Sequence, residues 1–221
     1  MTHLLHDELQ HLKHILLRMS GMVEHAINMS VHSLLDNDES LARKVIESDH
    51  AIDMLEMEID EMCLRLLALH QPVAIDLRFI IASTKINTDL ERMGDLAVNI
   101  AERALYLIHK PQIDAGIDLK RMSDFAQKMA RESLDALVQS DSMKAREICR
   151  SDDLLDDMNR QALTLLAAYM ENHPEAVKSA VHLLLITRHL ERIGDMATNI
   201  CESIVFMTEG RSIKHHAEEY G

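Results

Sequence analysis

The chain has 221 residues, of which 47% are hydrophobic and only 3% aromatic, with no Trp, 6 Gly and 3 Pro. Its net charge of −14 repels phosphate backbones, which argues against a nucleic-acid partner and makes cations the natural ligands of the surface. Three scattered cysteines (Cys63, Cys149, Cys201) form no CxxC pair, so neither a zinc knuckle nor a disulfide framework is indicated, and no uncharged apolar run approaches the ~20 residues that span a bilayer.

Leu, Met, Ala, Glu and Lys dominate, and helix breakers are few, so the chain reads as all-α. The spacing of apolar residues predicts six helices, near 3–35, 39–70, 73–109, 118–139, 142–171 and 175–209. The prolines punctuate them: Pro72, Pro111 and Pro174 each disfavour helix just before themselves and start one comfortably. Asn37–Asp38 and Ser140–Asp141 supply N-cap candidates for helices two and five. The opening residues MTHLLHDELQHLKHILL carry polar side chains at every turn, unlike a signal peptide, and the expected setting is the reducing cytoplasm. His3, His6 and His14 can share a face of the first helix, as ordinary polar surface, and the 15 methionines read as core filler.

The second helix carries an acidic stripe, Asp49, Asp53 and Asp60 at i, i+4 and i+11, with Glu56 beside it. The third contains LERMGDLAVNIAE (90–102). With about 100° per residue, Glu91, Asp95, Asn99 and Glu102 fall in an arc of roughly 80°, away from Met93, Leu96 and Ile100. After the linker-like stretch KPQIDAGI (110–117), the fifth helix echoes the second: AREICRSDDLLD (145–156) answers ARKVIESDHAID (42–53), and Asp152 and Asp156 repeat Asp49 and Asp53. The sixth repeats the phrase as LERIGDMATNICE (190–202), with Glu191, Asp195, Asn199 and Glu202 in register. Each half therefore reads as one duplicated three-helix unit. The expected organisation is a first repeat over 1–110, a linker over 111–117, a second repeat over 118–209 and a polar tail over 210–221.

A solvated polar face explains any one such helix. Two things weigh against that reading here. Both copies keep Glu, Asp, Asn and Glu in register, and Glu91 and Asp95 are like charges four apart, which costs a few tenths of a kcal/mol. If helices two and three are antiparallel neighbours, their acidic stripes face each other. Converging carboxylate and amide oxygens suit hard or borderline cations, and several carboxylates on adjacent turns can bridge more than one ion. Gly94 and Gly194, each costing ~1 kcal/mol against Ala in a helix, imply close approach by a neighbour. A diiron carboxylate oxidase needs Glu-x-x-His on facing helices; Glu47–His50 and Glu8–His11 have the spacing, but Asp153 stands where the repeat needs His50. A metal-free helical adaptor, docking basic partners through its acidic stripes, is the remaining alternative. No Gly-rich phosphate loop and no Ser/His/Asp grouping is readable, so no enzymatic activity is expected.

The two LER phrases resemble the paired E/D-x-x-x-D signatures of the PhoU family, regulators of phosphate uptake. GMVEHAI (21–27), VIESD (45–49) and LHQPVAIDLR (69–78) resemble that family's first half. The resemblance covers roughly residues 5–208 and implies two similar three-helix bundles that bind multinuclear metal clusters of iron, zinc, manganese or magnesium. The matching positions are Glu91, Asp95, Glu191 and Asp195, then Asp49, Asp53, Asp152 and Asp156 on the preceding helices; Asn99, Asn199, Glu102 and Glu202 fit the same stripes. The resemblance also implies negative regulation of the phosphate-starvation response, homodimers, and partners in the PstB-type ATPase of the Pst transporter and the PhoR-type sensor kinase.

Overall fold

The computed structural model describes residues 2–213, with side chains from Leu4 onward. Residues 214–221 of the expected polar tail, and the side chain of His3, lie outside the described residues. Six helices run in chain order: α1 (Thr2–Leu35), α2 (Glu39–His70), α3 (Ala74–Ile108), α4 (Leu119–Gln139), α5 (Ser142–Asn172) and α6 (Val177–Glu209). No strand occurs among the described residues, so the fold is all-α.

Local chemistry sets the helix ends. Asp38 caps α2 by accepting from the Ser40 and Leu41 amides. Asp118 and Asp141 cap α4 and α5 by accepting from Arg121 and Lys144. Each satisfies amides that a helix start leaves unpaired. Asn37 and Ser140, just before two of these caps, take the left-handed conformation (φ 53° each) that turns the chain back on itself. The sixth helix begins later than the sequence predicts. Pro174 opens a single 3-10 turn, Pro174–Ala176, and the α-helix starts only at Val177.

Helices α1, α2 and α3 pack on one another, as do α4, α5 and α6, giving two three-helix bundles. The bundles are not beads on a string. α3 packs along α6 and α1 along α4, while α2 and α5 stay on the outside. The α3–α6 seam is antiparallel: Asp89 meets Asn199, Tyr106 stacks on His182, and Arg78 donates to the Met207 carbonyl. On the other seam Asn28 donates to Gln127 (2.9 Å) and Arg131 pairs with Glu24 (2.9 Å). One continuous core results, running from Leu12, Met19 and Ile27 through Ile86, Leu90 and Met93 to Leu190, Ile193 and Ile204. Burying that much Leu, Ile and Met surface, at ~25 cal/mol per Å², is what holds the halves side by side.

Two candidate metal centres on the flanks of the bundles

The acidic stripes of α2 and α3 face each other. Asp53 acts on both Glu91 and Asp95, Glu56 acts on Glu91, Asp95 acts in return on Asp49 and Glu56, and Asp60 acts on Glu56. Burial and then the Asp53 and Asp95 charges push Asp49 up. Burial and then Asp60, Asp53 and Asp95 push Glu56 up. Burial and then Asp95, Glu56 and Asp53 push Glu91 up against a partial offset from Arg92, and burial with Asp53 raises Asp95. All four are carboxyls whose ionised form is resisted by partial desolvation and by each other. One end of the stripe is pinned: Asn87, fully buried, donates its amide to the Glu56 carbonyl (3.0 Å) and to Asp60 Oδ1 (2.9 Å).

The second cluster, between α5 and α6, is smaller and deeper. One carboxylate oxygen from each of Asp152, Asp156 and Asp195 lies within 4.8 Å of the others. Burial, and then Asp195, Asp156, Glu191 and Asp153, push Asp152 up to about 7. Its Oδ1 is buried without a hydrogen-bond partner. Burial, Asp195 and Asp156 raise Glu191, and burial and Asp156 raise Asp195, with Arg192 opposing both. Where the first bundle has Glu56 and Asp60, the same register of α5 carries Asn159 and Leu163.

The repeated glycines explain why the helices come so near. A Cβ on Gly94 would lie 3.3 Å from Ile52 Cδ1, and one on Gly194 would lie 2.6 Å from Leu155 Cδ2 and 3.1 Å from Asp152 Oδ1. Removing that carbon lets α2 and α5 settle onto α3 and α6, and the flanking acids meet as a consequence.

Four other residues in the repeated phrases have different surroundings. Asn99 donates to the Asp95 carbonyl on its own helix (2.8 Å), and Glu102 is exposed. Asn199 turns to the seam and donates to Asp89 Oδ1 (3.3 Å); Glu202, half-buried, sits near the Cys149 and Cys201 thiols. Asp89 went unread in the sequence: it is a buried acid on the apolar side, and its only signal is a charged residue among core positions. The Glu-x-x-His pairs assemble no second site. Glu8 is held by His70 (2.6 Å), while Glu47 and His50 are exposed.

The donor set is all oxygen, gathered from two helices, with an orphaned buried carboxylate oxygen at its deepest point. Such a set fits a divalent or harder cation, because an ion supplies the partner that Asp152 Oδ1 lacks and cancels the mutual repulsion of the carboxylates.

A family model described as the PhoU domain matches the chain twice, over residues 16–104 and 119–204. The chain is 38% identical to the phosphate-specific transport system accessory protein PhoU homolog of Aquifex aeolicus over 98% of this chain and 99% of that protein. It superposes on the crystal structure of PhoU from Pseudomonas aeruginosa with a TM-score of 0.90, at 37% identity, covering 93% of this chain and 99% of that one. It also resembles the phosphate transport system regulatory protein PhoU from Streptococcus pneumoniae (TM-score 0.87, 29% identity, 95% of this chain and 99% of that one).

Proposed function

The chain belongs to the PhoU family, and from that membership we propose that it is a regulatory accessory protein of a phosphate-specific transport system, acting without catalysis. The relatives it matches over nearly their whole length are named for that system. In the finer reading, it restrains phosphate uptake and the phosphate-starvation response as a cytoplasmic homodimer, contacting a PstB-type ATPase and a PhoR-type kinase.

The observation that carries the metal-binding part is the facing of two like-charged stripes, twice, with Arg92 and Arg192 offsetting the repulsion only in part. Asp49, Asp53, Glu91 and Asp95 would hold cations in the first bundle, and Asp152, Asp156, Glu191 and Asp195 in the second. Multinuclear clusters of iron, zinc, manganese or magnesium, when bound, supply the positive charge that lets α2 sit against α3 and α5 against α6 with every carboxylate ionised. The chain's own part is to aim the oxygens, to exclude bulk water at Asp152, and to keep basic side chains peripheral. The resulting rigid outer faces are what partners would read.

Two measurements test this reading. In a strain lacking the gene, alkaline phosphatase is expected to become active in high phosphate; continued repression refutes the regulatory assignment. Elemental analysis of native protein is expected to find stoichiometric metal that disappears when Glu91, Asp95, Glu191 and Asp195 are all replaced by Ala. Negligible metal in both samples leaves the metal-free adaptor.

A further inference from the structure

The two repeats differ most in their first helices. α1 has 34 residues and α4 has 21, which makes α1 longer by roughly 20 Å. Their C-terminal ends correspond, because Asn37–Asp38 and Ser140–Asp141 make the same left-handed turn and then cap the next helix. In that register Leu119 answers Leu16, and residues 2–15 have no helical counterpart in the second bundle. In the first bundle this extension covers the far half of α2. Its Leu12 and Ile15 are buried, Leu5 and Leu9 pack on the core, and Glu8 pairs with His70, the last residue of α2 (2.6 Å). On α2 itself Met62 is only 3% exposed and Leu66 is fully buried.

The far half of α5 has no such cover. Leu165, in the position of Met62, is 41% exposed, and Tyr169, in the position of Leu66, is half-buried. Leu154, Met158, Leu165 and Tyr169 follow at i, i+4, i+11 and i+15, so they share one face of α5. The connecting stretch 110–117 turns elsewhere and lines a cavity with Leu34, Leu107 and Leu183. Toward α4 the uncovered face continues into a groove of about 500 Å³, with Phe125, Leu154 and Met158 as its apolar lining. Arg121 and Lys128 line the same groove one turn to either side of Phe125; both are exposed, and among the described residues neither forms an ion pair. The nearby acids are already engaged: Asp118 caps α4, Asp124 pairs with Lys120, and Asp157 pairs with Arg160.

We propose that this face of α5, together with the basic flank of α4, docks an amphipathic helix of a partner protein, apolar on the side it buries and acidic along the edge that meets α4. The first bundle shows the shape that fits, since a helix fills the equivalent place there. The stripe from Leu154 to Tyr169 is roughly 22 Å long, which three or four helical turns span. Leu or Met side chains at i, i+3, i+4 and i+7 of such a helix pack against Leu154, Met158, Leu165 and Tyr169, as in other helix-in-groove complexes. Its carboxylates meet the two cations that lack partners, Arg121 and Lys128. A basic helix is drawn instead to the rest of this surface, whose net charge is −14. Asp152 and Asp156 lie on the flank of α5 that meets Asp195 of α6, so the docking face uses no residue of the metal reading.

The test is fluorescence anisotropy of the full chain with a labelled helical peptide of about 14 residues, carrying Leu at three- and four-residue spacing and Glu along one edge. Micromolar binding that weakens with added salt is expected. Leu165→Glu is expected to weaken it by about tenfold or more, and Arg121→Glu with Lys128→Glu by about tenfold. Leu64→Glu, the same change at an exposed position of α2, is expected to leave binding unchanged. Methyl shifts of Met158 and Leu165 during titration of wild-type protein give a readout that needs no variant to fold. Absence of peptide binding, binding that survives Leu165→Glu, or tighter binding of the peptide with Lys in place of each Glu overturns the proposal. Self-association that Leu165→Glu abolishes, in protein that ignores the peptide, also overturns it and assigns the face to a second copy of this chain. Binding to phosphatidylglycerol vesicles without binding to the peptide overturns it in favour of a lipid surface. Elemental analysis of Leu165→Glu is expected to find the metal content of native protein, so this proposal and the metal reading fail separately.

Discussion

The acid clusters of the two bundles are built from the same repeat yet have diverged in opposite directions. The first spreads six carboxylates along α2 and α3, with Asp95 exposed and one end tied down by Asn87. The second keeps four and sinks Asp152 so far between α5 and α6 that one oxygen has no partner and the acid holds its proton up to about 7. Gly194 is also tighter against its neighbour helix than Gly94 is. A broad, wetter cluster can take several ions loosely, whereas a narrow, desolvated one demands an ion more strongly and tolerates less change in shape. The lesson is that duplication preserved the acid pair on each phrase helix and let the opposing helix set the site's character.

The largest effect expected from breaking this comparison is on metal content. Asp156→Ala with Asp195→Ala should empty the second centre and leave the first loaded, and Glu91→Ala with Asp95→Ala should do the reverse. Elemental analysis and metal titration of the two double variants check it; a loss of all metal in either variant means the centres are not independent.

The next is on stability. Gly194→Ala places a methyl against buried Leu155 and should cost about 1–2 kcal/mol even after its gain in helix propensity, lowering Tm by roughly 2–8 °C. Gly94→Ala, with 3.3 Å to a flexible Ile52 terminus, should be near neutral, because ~1 kcal/mol of propensity offsets a small shift. Thermal melts of both variants decide it, and equal losses remove the claimed difference in tightness.

A smaller effect concerns pH. The folded state holds the Asp152 proton up to about 7, whereas the unfolded chain releases it near 4. Between those values the folded state binds more protons, so metal-free protein loses stability as pH rises through that window and levels off above it. Asp152→Asn should flatten this slope, and saturating metal should reverse it. Asp49→Asn in the first bundle should flatten it less. Melting curves from pH 4 to 8 measure all three.

The smallest is on the amides. Asn199→Ala removes a contact with Asp89 across the seam and should cost about 1 kcal/mol. Asn99→Ala removes only a bond within its own helix and should cost less. Chemical denaturation of the two variants compares them.

Much of this was legible in the residues. The prolines and the Asp38 and Asp141 caps placed the helix ends within a few residues, because those are local effects. The 100° spacing put Glu91 and Asp95 on one flank, because a helix has a fixed period. The facing of α2 by α3 was legible only on the condition that they are antiparallel neighbours, as successive helices of a three-helix unit are. What was hidden depends on packing between distant segments. Nothing local to Asn199 says that it turns to Asp89 while Asn99 bonds its own backbone. Nothing in the Asp152 neighbourhood announces deeper burial than at Asp49, since Leu155 and Ile52 are similar in apolar character. The side-by-side joining of the bundles was also unreadable, because an apolar face advertises that it is covered and not by what. The 3-10 turn at Pro174 was misjudged because a proline at a helix start is equally at home in either geometry.

The seam between α3 and α6, and that between α1 and α4, pair each helix with its own counterpart in the other repeat, running in opposite directions. Such an arrangement is what two identical short chains make when they meet across a two-fold axis. A protein severed within Lys110–Ile117 should therefore yield fragments that cling together or precipitate, and neither should persist alone in dilute solution. Covalent joining frees such a pairing from dependence on concentration, and it leaves the twin carboxylate sites free to differ in depth and reach.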